Sequence, residues 1–462
     1  MPSDQPGAVG RREARLQRLL HGPIAPALAR IAVPNMGVAI VQIAVTAADA
    51  WYVGQLGVAP LAALALVFPI QALMQMMSVG AMGGGISSAI ARALGAGDHG
   101  RAEALMVHAL IIGIVMAFIY TVLFGLLAEP LFRLLGGRGE ALEGAVAYAR
   151  ILFGGAIVIW IANVLASILR GTGNMTVPSG VLISVFLFDV VLSGALTLGW
   201  FGLPAFGIRG PALAFVTVFG LAGVAMGGYL LAGRAGLTLR LFSQPIRWSL
   251  FADILRVGGM ACGNSLLTVG TIVIVTGLVG RYGTEALAGF GLGSRLELMI
   301  VPFAFGIGGA LTAMVGICRG AGEFARARRT AWTGGLIVFA LTSVIGLTAA
   351  VMPDLWIGLF TTDAEAAAVA RRYLQIVGPF YGFSGLGMTL YFASQGNGNV
   401  VWPFVAGLSR LFAAAGLGAV AALGFDLPVA WLFAAVALGL VVFGGTVAAS
   451  LFMRVWNPPQ ED

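Results

Sequence analysis

LGAGDHGRA, residues 94–102, returns 225 residues later as RGAGEFARA, residues 319–327. The same offset carries GTGN (171–174) onto GNGN (396–399), Tyr148 onto Tyr373 and Pro178 onto Pro403. Shifted by one more residue, GQLGVAPLAA (54–63) falls on GRYGTEALAG (280–289). Polar turns repeated in the same order imply a chain built of two like halves.

The runs between these turns decide what the halves are made of. The chain has 462 residues, of which 59% are hydrophobic and 10% charged, with a mean hydropathy of +0.96. A soluble domain carries roughly 25% charged residues. A spanning helix needs about 20 mostly apolar residues, and such runs fill the sequence, whereas a transmembrane β-barrel would show short alternating segments. Twelve apolar segments are expected: 31–54, 61–91, 104–127, 141–169, 177–199, 209–232, 254–280, 286–318, 329–351, 364–394, 400–423 and 428–453. The fold class is therefore an all-α polytopic membrane protein of twelve helices in two pseudo-symmetric six-helix lobes. Six spans per half make the repeat parallel, an architecture of transporters that places the site between the halves. Glycine, at 68 residues, suits close helix packing.

The expected division is a segment at 1–30, an N-lobe at 31–232, a linker at 233–253, a C-lobe at 254–453 and a tail at 454–462. RREARLQR near the start lacks a cleavage pattern and reads as an amphipathic segment. All 26 basic residues are arginine and the net charge is +7, which in such a chain reports topology rather than a nucleic-acid partner. Placing both termini in the cytoplasm puts 17 arginines on that side and 7 on the other, with Arg295 and Arg410 inside spans. An integral protein of the bacterial inner membrane with cytoplasmic termini is expected, and as a monomer. Cys262 and Cys318 lie in apolar runs and read as buried thiols. Neither a metal site nor a cofactor is expected, and HExxH, G-x-S-x-G and P-loop patterns are absent from the sequence, which disfavours an enzyme.

The halves differ in their charges. Asp49 falls on Val275, Asp189 on Ala414 and Val185 on Arg410. A carboxylate at a helix centre costs about 2.5–3.5 kcal/mol on the insertion scale, so Asp49 and Asp189 are expected to face the bundle interior. There they either exchange a coupling ion or serve as structural hydrogen-bond partners. Pro34, fifteen residues before Asp49, either starts the first helix or bends it. Asn163, Ser184, Ser193 and Thr217 are candidates to complete the polar network. In the C-lobe, Arg295 and Glu297 are two residues apart and point to different sides of a helix. Arg410 is therefore the expected partner of Glu297, in an ion pair or a second coupling site. Gln71, Met74, Gln75 and Met82 are candidate cavity lining, since methionine adapts to varied apolar shapes.

These residues resemble the multidrug and toxic compound extrusion family, the MATE exporters, of the bacterial DinF/NorM type. The resemblance spans roughly residues 30 to 455. It rests on D-x-x-x-V-G-x-L-G from Asp49 to Gly57, the paired GAGD and GAGE loops, and the paired G-x-G-N turns. It implies two lobes around a V-shaped cavity and export of amphipathic, often cationic compounds in exchange for H⁺ or Na⁺. It also implies a coupling pair at Asp49 and Asp189 and a hinge at Pro34. Two departures favour H⁺. The family often has Asn where this chain has Val185, and a sixth-span threonine where it has Phe215, although Thr217 is near. The run GPFYGFSGLGMTLYFASQ (378–395) lacks the C-lobe acid of the NorM type. The alternative within the superfamily is a flippase for lipid-linked oligosaccharides, which would need a basic cavity for phosphates.

Overall fold

The repeated turns fold the same way twice. Gly97 and Gly322 adopt left-handed φ values of +74° and +79°, and Gly173 and Gly398 of +73° and +80°, a conformation glycine enters without the Cβ penalty. At the first turn Asp98 caps the next helix by accepting from the backbone N–H of Arg101 at 2.9 Å. The computed structural model describes residues 8–238, 245–298, 300–361 and 363–458. Among them every regular element is helical. Residues 239–244 of the expected linker, with Arg240, and the end of the tail lie outside the described residues.

Ten of these helices are long and apolar enough to cross a membrane, or eleven if a bent pair counts as one span. The expected count of twelve is thus not reached by length. The fourth segment divides into Gly139–Gly154 and Ala156–Gly171, bent by 48°. The tenth divides into Ala364–Val377 and Tyr381–Asn397 around a short 3-10 turn, Gly378–Phe380. Pro379 lacks the N–H that would continue the first piece. Helices also begin earlier than hydropathy suggests. The first runs from Ile24 to Gly54 and the seventh from Trp248 to Gly280, so the segment before one and the linker before the other are partly helical. The second span contains a π-helical stretch, Met76–Met82, between Val58–Gln75 and Gly83–Gly95.

Apolar side chains such as Ile43, Phe118, Phe188 and Val224 are exposed on the outside. That is the surface a bilayer covers, and with the spanning helices it makes this an integral membrane protein. Cys262 and Cys318 are buried and unpaired.

The halves meet at one end. Gly83–Gly95 of the second span packs on Trp248–Gly280, on Val301–Gly320 of the eighth span and on Tyr381–Asn397. At the opposite end Val58–Gln75 and Thr284–Leu298 show no comparable packing. The closed end also carries the described ends of the chain. Arg326 donates to the carbonyl oxygens of Leu19 and Gly22, and Asn397 to that of Val455. The backbones touch there. A Cβ on Gly320 would lie 2.0 Å from the Arg92 carbonyl oxygen, and one on Gly95 2.1 Å from that of Ile317. Polar bonds cross the same seam. Asn35 donates to the carbonyl oxygens of Phe305 and Gly306 at 3.2 and 3.4 Å, Gln395 to that of Gly80 at 3.0 Å, and Arg92 pairs with Asp253 at 2.6 Å.

Candidate functional site: a carboxylate pair in the N-lobe

The first span lies against the fifth, Thr176–Leu198. On the fifth, Leu187, Phe188 and Val191 face outward while Asp189 and Ser193, one turn apart, are fully buried. Helical spacing thus turns both polar groups to the face that meets the first span. Asp49 is 8% exposed and accepts a short hydrogen bond from the Ser193 hydroxyl. One turn on, the Tyr52 hydroxyl donates to the Val190 carbonyl at 2.9 Å. Neither carboxylate oxygen of Asp189 has a hydrogen-bond partner among the described residues. The two carboxylates lie within electrostatic reach of each other. Trp200 closes one end of the group, edge-on to Tyr52 with ring centroids 5.4 Å apart.

A second layer of polar groups stands behind the acids. Tyr148 of the fourth segment, 1% exposed, is within electrostatic reach of both carboxylates and donates to Gln71 Oε1 at 3.3 Å. A turn along the second span, Asn163 donates to Gln75 Oε1 at 3.2 Å and to Ser78 Oγ at 3.0 Å. Four helices therefore share one buried polar cluster. Besides Asp49, the Tyr52 and Tyr148 hydroxyls lie within electrostatic reach of Asp189.

Several sequence-based expectations fail here. Ser184 and Thr217 are exposed, and each donates to the carbonyl four residues back in its own helix. Neither joins the acids; a helix rotation of about 100° per residue carries both to the outer face. Met74 and Met82 are buried packing, not open lining, and Met82 fills the space a Cβ on Gly258 would need, 2.6 Å from its sulfur. Gln71 and Gln75 are only partly buried but are engaged in the cluster. Pro34 does not start a helix, since the first span begins at Ile24 and Pro34 lies inside it.

Three participants were not singled out by sequence: Tyr52, Tyr148 and Asn35. Tyr52 is one turn past Asp49, a spacing that could have flagged it. Tyr148 was visible only as a repeated position.

In the C-lobe, Glu297 pairs with Arg410 at 3.3 Å and accepts from the Tyr373 hydroxyl at 3.5 Å. Arg295 is exposed, apart from that pair. Among the described residues no group of three His, Cys, Asp or Glu side chains converges as a metal site.

A protein-family model, MatE, matches residues 34–194 and 261–420. The chain belongs to the MatE family of transporters. The match falls once in each lobe, and its first part spans both Asp49 and Asp189. Among curated relatives, this MatE chain is 27% identical over 380 residues to a probable multidrug resistance protein NorM of Thermotoga maritima, covering 82% of this chain and 81% of the relative. It is 24% identical over 384 residues to a FAD transporter of Shewanella oneidensis, covering 82% and 83%. Among solved structures, a MOP superfamily transporter from Pyrococcus furiosus superposes with a TM-score of 0.87 at 24% identity, covering 95% of this chain and 97% of that one. An outward-facing multidrug resistance MATE family transporter gives 0.85 at 25% identity with the same coverage. This MatE chain is thus a membrane transporter for small molecules.

Proposed function

We propose that this protein is a secondary active multidrug efflux antiporter that exports amphipathic organic cations in exchange for protons. It works by alternating access in the bacterial inner membrane, as a monomer with both termini cytoplasmic. The observation that carries the reading is Asp189, fully buried, unbonded and beside Asp49. Two carboxylates held together in an apolar surround cannot both ionise easily, so the pair takes up a proton readily. Sodium would need several hard oxygen ligands, and among the described residues Asp189 has no hydrogen-bond partner. The many-helix cluster makes the event structural. Charge on the pair repels the two spans, and its loss lets the first span settle on the fifth.

The hinge reading of Pro34 is supported by its neighbour. Pro34 lacks the N–H that would bond to the preceding turn, and Asn35 ties the same turn to the eighth span. A change of bend there reaches the seam between lobes directly. With the termini cytoplasmic, the closed seam faces the cytoplasm. The described state then has released its cargo outward and is ready to load protons. Glu297 and Arg410 are assigned a structural role, because each satisfies the other's charge.

The test uses the whole protein in liposomes with an imposed proton or sodium gradient and a fluorescent organic cation inside. Wild type is expected to move the cation down to exhaustion of the proton gradient, and Asp49→Asn and Asp189→Asn to fail. Transport untouched by both substitutions would sink the coupling site. A response to sodium alone would replace the proton, and flipping of a labelled polyprenyl lipid without cation export would replace the cargo.

A further inference from the structure

Away from the acids, the closed end of the molecule holds a cavity of about 720 Å³ whose lining includes Arg256, Arg319, Arg454, Asn397 and Asn399. Among the described residues no carboxylate lines it, and none of the three arginines forms an ion pair. They come from the seventh span, the end of the eighth and the turn after the twelfth, so three separate elements bring an arginine each to one space. Arg319 donates to the Asn457 carbonyl at 3.2 Å, which fixes it at the rim. Asn397 is only 5% exposed. Its amide nitrogen is engaged with Val455, and its Oδ1 has no partner. The wall thus offers positive charge.

The seam lies beside this wall. Arg92 of the N-lobe is within electrostatic reach of Arg256 and Arg319. A Cβ on Gly398 would lie 3.0 Å from its Nη1. Arg92 has one acidic partner, Asp253, which it shares with Arg101 at 2.8 Å. Closing the seam therefore crowds like charges with a single carboxylate between them, and an anion in the cavity relieves that crowding.

We propose that this cavity is a binding site for a phosphate ester, and that its occupation favours the conformer closed at this end. Guanidinium groups match phosphate oxygens in paired hydrogen bonds. The chemistry is met by a phosphatidylglycerol headgroup or by a soluble sugar phosphate. A ligand that binds the closed form better shifts the population toward it. The site goes beyond the antiport reading and does not depend on Asp49 or Asp189.

The experiment measures binding and thermal unfolding of the full chain in detergent with glycerol 3-phosphate, and by lipid retention from phosphatidylglycerol against phosphatidylcholine vesicles. Wild type is expected to bind one of the two probes and to unfold at higher temperature with it. The Arg256→Gln and Arg319→Gln variants should each weaken binding roughly tenfold or more, as loss of a charge-assisted hydrogen bond implies. Arg454 lies outside the spanning helices, so Arg454→Gln reads the site without touching the bundle. Binding of the soluble probe alone assigns a soluble ligand, and retention of the lipid alone assigns the headgroup. Equal binding by wild type and all three variants, no binding of either probe, or the same stabilisation by sodium chloride at matched ionic strength, would overturn the proposal.

Discussion

Ser193 donates its hydroxyl to Asp49 from one helical turn beyond Asp189, yet Asp189 itself is bonded to nothing described. The two acids are therefore unequal. One is held by a hydroxyl of the facing span, and the other has no hydrogen-bond partner among the described residues.

Asp189→Asn should abolish gradient-driven export, lowering it more than tenfold, while leaving the protein at least as stable to heat. The substitution removes a buried group with no partner, and burying such a charge is unfavourable. Transport in liposomes and thermal unfolding in detergent check the two halves of this statement. A folded variant that still exports would contradict it.

Ser193→Ala should slow export roughly tenfold, the worth of a hydrogen bond to a charged group. Ser184→Ala should change it less than twofold, since Ser184 bonds only within its own helix on the exposed face. Both are read as initial rates at fixed gradient. Equal effects would mean that the geometry of the pair is irrelevant to turnover.

Asp253→Asn should destabilise the closed seam by about 1–2 kcal/mol, because Arg92 and Arg101 both lose their acid. Arg92 and Asp253 side chains are 18% and 20% exposed, so some screening remains. A double-mutant cycle with Arg92→Gln in thermal unfolding reports the coupling. Spin labels placed on the two lobes should show a wider separation at that end in the single variant.

Gly320→Ala should hold the lobes apart at the seam and cost about 1–3 kcal/mol, the usual penalty of overpacking, since its Cβ would lie 2.0 Å from a backbone oxygen. Gly280→Ala, where nothing lies within 4 Å, is the control and should be near neutral. Export and unfolding temperature are both expected to fall for the first and hold for the second.

Glu297→Gln should destabilise the C-lobe, and Arg410→Gln added to it should recover part of the loss, because the second change removes the charge left unpaired. Export per folded molecule should stay coupled to the proton gradient in both. Loss of proton dependence in Glu297→Gln alone would move the coupling site into the C-lobe.

How far these relationships can be read without coordinates depends on their range. The duplicated turns were legible because a left-handed glycine leaves a mark on the sequence, as at Gly97 and Gly322. The pairing of Glu297 with Arg410 followed from the scarcity of charge inside spans. The polar partners of the acids were harder. Ser184 and Ser193 look alike in a run of apolar residues, and only helix rotation and the placement of the first span separate them. Asn35 and Gln395 bond to backbone carbonyls of the opposite lobe, and a carbonyl has no sequence signature. The count of long spans differs from twelve at two segments that hydropathy alone reads as continuous: the fourth bends by 48° and the tenth is divided at Gly378–Phe380, where Pro379 lies.

The fourth segment bends at Gly154 and Ala156, and the tenth breaks at Gly378–Phe380, positions that coincide under the 225-residue offset. The kink thus recurs in both halves, whereas Asp49 and Asp189 fall on Val275 and Ala414 and have no acidic counterparts in the second. The joints are common to both halves, and the buried acid pair belongs to one. Transplanting the acids to Val275 and Ala414 would ask whether the silent copy still has the mechanics to answer them.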